Sequence, residues 1–170
     1  GDGVNDLAVG ASSDDAGGDA RGAVHIMFMN TDGSVDSTVE INRGTDSDFF
    51  GSSVANIGDL DGDGVNDLAV GASSDDAGGE HRGAVHIMFM NTDGSVDSTV
   101  EINSSTTNGP TLSNSDGFGS SVANIGDLDG DGVNDLAVGA TGPQSGKAGI
   151  YQGAVHIMFM NTDGSVDSTV

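Results

Sequence analysis

The chain has no cysteine and no tryptophan, one tyrosine, two prolines, and only four Lys plus Arg residues against 27 Asp plus Glu. The absence of cysteine excludes disulfide bonds and thiolate metal sites. The formal net charge of -23 disfavours nucleic acid and anionic lipid as partners and favours divalent cations. No apolar run in the sequence approaches the length of a membrane span. We therefore predict neither nucleic-acid binding nor membrane insertion.

Glutamate is also scarce, occurring only at Glu40, Glu80 and Glu101, so that aspartate supplies the other 24 of the 27 acids. Aspartate favours turns, loops and metal sites over helix interiors, which argues against a helical bundle. Glycine is abundant, at 29 of 170 residues, but 35% of the chain is apolar. The apolar content argues against both collagen and simple disorder. The composition therefore indicates a chain that can fold, provided that its acidic residues are neutralised.

Internal repeats organise the sequence. Residues 62–79 repeat 1–18 and residues 118–140 repeat 50–72, in both cases without a change, and 83–103 and 153–170 repeat 22–42 and 83–100. The chain holds about 2.6 units, which we divide into a partial first blade with its link (1–61), a second unit (62–129, with its acidic loop starting at residue 59) and a third (130–170). Both ends cut through a unit, so we expect a fragment or one protomer of a larger array.

Each unit contains four short segments with strand character. In the second unit they are residues 53–58, 67–72, 83–90 and 98–103, and an Asp-Gly turn joins the last two. The segment 83–90 is apolar on both faces, as a strand covered on both sides requires. Four strands at this repeat length predict blades of a β-propeller, each a sheet of four antiparallel strands.

Sequence variation between the units falls in two segments. The turn between the second and third strands differs at 12–21, 73–82 and 141–152, and the link between units has seven residues at 43–49 and fourteen at 104–117. In an antiparallel meander these segments lie at the same end of the sheet. We predict a variable face there that binds a protein or glycan ligand, because variable loops on a constant scaffold commonly form recognition surfaces.

The constant turn between the first and second strands is strongly acidic. Its two complete copies, 59–67 and 127–135, place Asp at loop positions 1, 3, 5 and 9, glycine at 6 and valine at 7. Such an oxygen-rich loop suits Ca²⁺, whereas Mg²⁺ demands a stricter octahedral geometry. An EF-hand is disfavoured because position 12 is Val70 or Val138 where a bidentate Glu is needed. The predicted ligands are the side chains of Asp59, Asp61, Asp63, Asp67, Asp127, Asp129, Asp131 and Asp135, the carbonyls of Val65 and Val133, and a partial first site at Asp2, Val4 and Asp6.

This loop lies between Phe50-Gly51-Ser52-Ser53 and Leu68-Ala69-Val70-Gly71-Ala72. Taken together, these segments resemble the FG-GAP repeats of the integrin alpha-subunit propeller and of many bacterial surface proteins. The resemblance implies a calcium-binding propeller in which the acidic loop joins the first and second strands. In the family, proline follows Gly-Ala. This chain departs from that pattern, because Ser12, Ser73 and Thr141 stand at the corresponding positions.

No residue pattern indicates an active site. His25, His86 and His156 occupy one register of the third strand, with no acidic residues close in sequence, which favours packing or hydrogen bonding over metal binding. We predict a non-enzymatic, extracellular or cell-surface module with a structural or adhesive role, since extracellular calcium keeps such sites filled. Two alternatives remain open, a propeller part of a secreted polysaccharide-acting enzyme and a self-assembling surface filament subunit. Either self-association or continuation of the array is expected to cover the outer blades.

Overall fold

The computed structural model describes residues 3–142 and 153–170, which form only strands and turns. No helix able to cross a membrane occurs in these two ranges. The strands of the described residues are β1 (Leu7–Ala11), β2 (Ala23–Met29), β3 (Val35–Asn42), β4 (Phe50–Gly58), β5 (Asp67–Ala72), β6 (Ala84–Met90), β7 (Val96–Ile102), β8 (Phe118–Gly126), β9 (Asp135–Ala140), β10 (Ala154–Met160) and β11 (Val166–Thr169).

The strands pair into three antiparallel sheets in chain order, β1-β2-β3, β4-β5-β6-β7 and β8-β9-β10-β11. Equivalent residues pair in the same register: Leu68 lies opposite Met88 in the middle sheet, as Leu136 lies opposite Met158 in the third. The prediction of propeller blades built from four antiparallel strands is thereby confirmed. The first sheet has three strands within the described residues.

The innermost strands are longer than the sequence pattern predicts. β4 begins at Phe50, three residues before the predicted start at Ser53, and its pairing with β5 shifts register between Phe50 and Ser53. Gly51, within this bulge, has a φ of +83°, a conformation that costs glycine little and other residues much more. The bulge interrupts the regular alternation, which is why the pattern did not include Phe50.

The sheets stack face to face, and each interface has its own hydrophobic core. β4 lies against β1, and β8 lies against β4 and β5. Strand β6 contributes to both cores, because successive side chains point to opposite faces of a strand. Met88 and Met90 belong to the cluster shared with the first sheet, whereas Val85, Ile87 and Phe89 belong to the cluster shared with the third. The doubly apolar pattern of this strand therefore reflects two buried faces.

Glycine permits the closest approach between neighbouring sheets. A Cβ atom on Gly71 of β5 would overlap the carbonyl oxygen of Gly119 in β8. The same carbonyl accepts a hydrogen bond from the Ser53 hydroxyl, at 2.8 Å. Gly83 also forms an isolated parallel bridge with Phe118. Backbone contacts, in addition to apolar packing, thus hold adjacent blades in register.

Identical residues differ in burial according to the position of their sheet in the stack. Leu60 is 5% exposed and Leu128, its equivalent, is 59% exposed; Val85 is 0% exposed and Val155 is 66% exposed. Among the sheets of the described residues, only the middle one is covered on both sides, so all seven residues of β6 are buried. The outward faces of the first and third sheets consequently expose residues that are core residues in the middle one.

Candidate metal centres

The two complete acidic loops bring carboxylates together at the end of each inner strand. Oxygen atoms of Asp59, Asp61 and Asp67 lie within 4.8 Å of one another, and those of Asp127, Asp129 and Asp135 do the same. The loops follow β4 and β8 and lead directly into β5 and β9. Because both flanking strands are fixed in a sheet, the loop ends are held in place by the fold.

Backbone N–H groups shape each loop around its acidic side chains. Asp59 accepts hydrogen bonds from the N–H groups of Gly62 and Gly64, at 2.8 and 2.9 Å. The equivalent bonds run from Gly130 and Gly132 to Asp127, at 2.6 and 2.9 Å. Gly62 and Gly64 have φ values of +83° and +91°, which favour glycine. The glycines of the motif therefore allow the chain to curl around the first aspartate.

The last aspartate of the loop is buried and anchors it to the sheet. Asp67 accepts hydrogen bonds from the N–H of Leu60 at 2.8 Å and from that of Met90 in β6 at 3.0 Å. Asp135 accepts from Leu128 and Met160 at 2.8 and 3.1 Å. Burial raises the pKa of Asp67 despite these bonds, and the charges of Asp61 and Asp63 act in the same direction.

The acids of the third-sheet loop also act on one another. Loss of solvation is the largest cause of a raised pKa at Asp129, and the negative charges of Asp131, Asp135 and Asp127 raise this pKa further. A bound cation would reverse this electrostatic effect, since an opposite charge favours the ionised carboxylate.

The remaining predicted ligands are placed differently. Asp63 and Asp131 are not among the converging carboxylates; each accepts a hydrogen bond from the N–H two residues later, at 2.7 and 2.8 Å. Valines 65 and 133 lie between these acids and the buried Asp67 and Asp135, and their carbonyl ligation stays a prediction. In the first unit, Asp2 lies outside the described residues, whereas Asp6 accepts a 3.0 Å bond from Met29. Val4 precedes Asp6 in the same loop.

The donor sets fit a hard cation. Each converging group offers only carboxylate oxygens, the ligands that Ca²⁺ prefers and that Mg²⁺ also accepts. Every carboxylate oxygen has two lone pairs, so an oxygen that accepts one N–H retains capacity for a metal. Three converging negative charges also repel one another without a counter-ion. These loops could therefore hold a divalent metal ion.

The variable segments form a connected face at the opposite end of the sheets. Arg82 of the second variable turn donates to Asn114 and Ser104 of the following link, at 2.9 and 3.2 Å. In the first unit, Arg21 pairs with Asp46 at 2.8 Å. The link then reaches the next turn, where Ser74 N–H donates to the Asp48 carbonyl at 3.2 Å. Turns and links thus alternate along one surface, as the meander topology predicts.

The structure also assembles a group that sequence reasoning missed. Ligand atoms of Asp75, His86 and Glu101 lie within 4.8 Å of one another. His86 and Glu101 are paired across β6 and β7, and Asp75 comes from the variable turn. No acidic residue lies close to His86 along the sequence, but the fold brings Asp75 and Glu101 to it. Burial lowers the pKa of His86 and raises that of Asp75 to about 6.

The histidine ring also packs against an aromatic residue, as predicted. Phe50 meets His86 edge to face with ring centroids 5.4 Å apart, and Phe118 meets His156 in the same way at 5.5 Å. The pairing of His86 with Glu101 follows from the register between β6 and β7. Finding it from the sequence would have required aligning the two strands across their turn.

Comparison with known proteins agrees with this architecture. The FG-GAP repeat family model matches residues 50–88 and 118–158. Integrin alpha-3 of Mus musculus is 37% identical over 131 residues, covering 76% of this chain and 12% of that protein. Integrin alpha-4 of Xenopus laevis is 34% identical over 142 residues, covering 82% of this chain and 13% of that protein. The chain therefore spans about one-eighth of the length of these curated relatives.

Integrin alpha-11 of Homo sapiens is also similar, at 36% identity over 144 residues, or 84% of this chain and 12% of that protein. The two matched segments begin at Phe50 and Phe118, where β4 and β8 begin, and each covers the first two strands and most of the third strand of its sheet. Repeated acidic loops, four-stranded blades and these similarities together establish that the chain belongs to the FG-GAP repeat family, with integrin alpha subunits among its relatives.

Proposed function

We propose that this chain is a calcium-binding β-propeller module that works outside the cell in a structural or adhesive role, without catalysis. The convergence of Asp59, Asp61 and Asp67, repeated at Asp127, Asp129 and Asp135, carries the calcium assignment. Extracellular Ca²⁺ is concentrated enough to fill even weak sites of this type. The connected variable face is the proposed surface for a protein or glycan ligand.

Calcium is proposed to stabilise the blades by tying each inner strand to its neighbour. The loop joins β4 to β5, and its buried Asp67 also holds the end of β6 through Met90 N–H. An ion bound by Asp67 and the exposed Asp59 and Asp61 would link three strands. Binding that favours the folded state adds directly to its stability.

Calorimetric titration of the metal-free 170-residue chain with Ca²⁺ tests this function. We expect about two ions per chain, one for each complete loop. Asp61→Asn should remove one binding event and the double variant Asp61→Asn with Asp129→Asn should remove both. Asp97→Asn is the matched control, because this substitution removes the same charge from an exposed aspartate on the outer strand β7.

Unchanged stoichiometry in the double variant would contradict the assignment of these loops. Failure of the parent chain to bind Ca²⁺ at millimolar concentration would contradict the proposed function as a whole. Circular dichroism of each variant in Ca²⁺ and in chelator separates lost binding from lost folding.

We also propose that further blades, from a continued array or a second copy, cover the outer sheets. The outward face of the third sheet exposes Leu128 and Val155, whose equivalents Leu60 and Val85 pack against a following sheet. On the first sheet, Leu7 is 49% exposed, whereas its equivalent Leu68 is buried. The two outward faces therefore present the complementary halves of an interface that the stack already contains, which suits head-to-tail association.

Light scattering over a range of protein concentrations tests association of the chain with itself. We expect the mass to rise with concentration and Val155→Asp to suppress that rise. Ser98→Asp is the control, because it adds the same charge to the exposed side of β7. A compact monomer at every concentration would contradict association of this chain and leave the calcium assignment unaffected.

A further inference from the structure

A second kind of polar group lies at the opposite end of the middle blade from its acidic loop. It consists of Asp75 in the variable turn, His86 in β6 and Glu101 in β7. His86 shares its face of β6 with Met88 and Met90, which pack against the first sheet. The group therefore sits at the interface between the first and middle sheets.

The histidine is buried without a hydrogen-bond partner for one ring nitrogen. His86 is 5% exposed, and within the described residues its Nε2 atom makes no hydrogen bond. The Oδ2 atom of Asp75 lies 3.9 Å from this nitrogen, and Asp75 is itself only 6% exposed. This separation is too long for a hydrogen bond. Two ligands that each lie ~2.1 Å from a shared metal ion are roughly 3 to 4 Å apart.

The carboxylates retain free acceptor capacity toward the histidine. Asp75 uses Oδ1 to accept from Ala77 N–H at 2.6 Å, and Oδ2 faces His86. The Glu101 carboxylate accepts a hydrogen bond from the Asn103 side chain at 2.7 Å through one of its two oxygens. An unpaired buried nitrogen is costly, and a metal ion would satisfy it together with both carboxylates.

Charges from the preceding link also act on this site. Arg43 and Asp48 are close enough to influence the charge on His86, and they oppose each other in sign. Asp48 is buried and accepts hydrogen bonds from Thr45, including one from its hydroxyl at 3.1 Å. The side chains of Asp75 and Glu101 together carry two negative charges when ionised, which a divalent ion would neutralise.

We propose that Asp75, His86 and Glu101 form a transition-metal site, selective for Zn²⁺ over Ca²⁺, that joins the variable face to the blade interface. One imidazole and two carboxylates suit zinc, whereas calcium takes oxygen ligands only. Three protein ligands leave a fourth position for water or for a ligand bound on the variable face. The site would tie the variable turn to strands β6 and β7.

The three units offer natural comparisons. Asp14, His25 and Glu40 are the same residue types in the first unit, but they are not among the converging groups of the described residues, and His25 is only half-buried. In the third unit, Pro143 stands at the sequence position equivalent to Asp75. Within the described residues, the three ligand atoms converge in the middle unit only.

Zinc titration of the full chain, in excess Ca²⁺ to occupy the acidic loops, tests the proposal by calorimetry. We expect one zinc event, weakened at least about tenfold by His86→Gln and by Glu101→Gln, since even loss of an outer-shell partner costs ~10–100-fold. Co²⁺ as a probe should give a visible absorption band that His86→Gln abolishes. His156→Gln is the matched control and should leave both signals unchanged.

Absence of a zinc event in the parent chain would overturn the proposal. It would also be overturned if His86→Gln bound zinc as the parent does while His81→Gln did not, because His81 is an exposed histidine of the same turn. Glu101→Gln keeps the test informative if His86→Gln fails to fold, since Glu101 is exposed. Calcium binding, measured separately with Asp61→Asn, distinguishes failure of this site from failure of the proposed function.

Discussion

The valine at the second position of the equivalent strands β2, β6 and β10 provides a direct test of the blade stack. Val24, Val85 and Val155 occur in identical Ala-Val-His-Ile-Met-Phe-Met segments. Val24 and Val85 are 0% exposed, and Val155 is 66% exposed. Substitution by alanine in each copy changes the same atoms in the same local sequence, so differences in β-propensity largely cancel.

The expected losses follow from burial. Alanine lacks two of the carbon atoms of valine, worth ~0.8 kcal/mol each when fully buried, and a residual cavity adds to this. We expect the free energy of unfolding to fall by about 2 to 3 kcal/mol for Val24→Ala and Val85→Ala. At Val155 about a third of the transfer term remains and no cavity forms, so the loss should be roughly 0.5 kcal/mol.

Urea unfolding in saturating Ca²⁺ measures the difference. With a slope of ~2 kcal/mol per molar urea, the midpoint should fall by roughly 1 M for the two buried valines and by about 0.25 M for Val155. The slope itself should stay constant, as comparison of free energies requires. Equal losses at all three positions would refute the stacking order. If Val155→Ala becomes more costly as protein concentration rises, that face is buried by association.

Three further predictions concern metal, backbone and pH. Two calcium sites that each contribute ~2.7 kcal/mol, at a calcium concentration a hundredfold above Kd, should make chelation lower the melting temperature by roughly 10 to 20 °C. Differential scanning calorimetry with and without EDTA measures this shift. An unchanged melting temperature would show that the loops bind no ion. Gly71→Ala should lower the free energy of unfolding in urea by ~1–3 kcal/mol or more, because the new Cβ meets the Gly119 backbone. Gly139→Ala should cost less, because its Cβ clashes with the rotatable Ser121 hydroxyl and no backbone atom. The reverse order would contradict the close backbone approach between β5 and β8. The pKa of Asp93 is lowered by hydrogen bonds from the Ser95 hydroxyl and N–H, so this turn should be stabilised above about pH 4 and lose that stabilisation as pH falls through the lowered pKa. Ser95→Ala should raise the pKa of Asp93, which NMR titration measures, while the pKa values of the equivalent Asp32 and Asp163 stay unchanged as internal references. A uniform shift of all three pKa values would contradict a local effect of Ser95.

Much of the fold follows from the sequence because the chain repeats itself. The four segments of each unit, the turn residues between them and the doubly apolar third strand predict blades with two covered faces. Strand boundaries were less accurate where a bulge intervenes, as at Phe50. Periodicity detects alternation, and a bulge suspends it for two residues.

The acidic loops were identifiable for a similar reason. Their carboxylates lie within nine consecutive residues, so local spacing alone places Asp59, Asp61 and Asp67 near one another. The Asp75, His86 and Glu101 group has no such local signature, because the ligands come from a turn and two strands. His86 has no acid close to it along the chain, and only the fold brings Glu101 of the adjacent strand and Asp75 of the variable turn to it.

By itself, the sequence determined the repeat, the type of strand and turn in each unit, and the carboxylate spacing of the loops, because all of these depend on residues close together in the chain. Tertiary structure decided which of several identical residues are buried. Val85 and Val155 have the same sequence neighbours and opposite exposure, since burial depends on whether another sheet packs against that face. The same reason gives His86 a sealed environment and leaves His25 half-exposed.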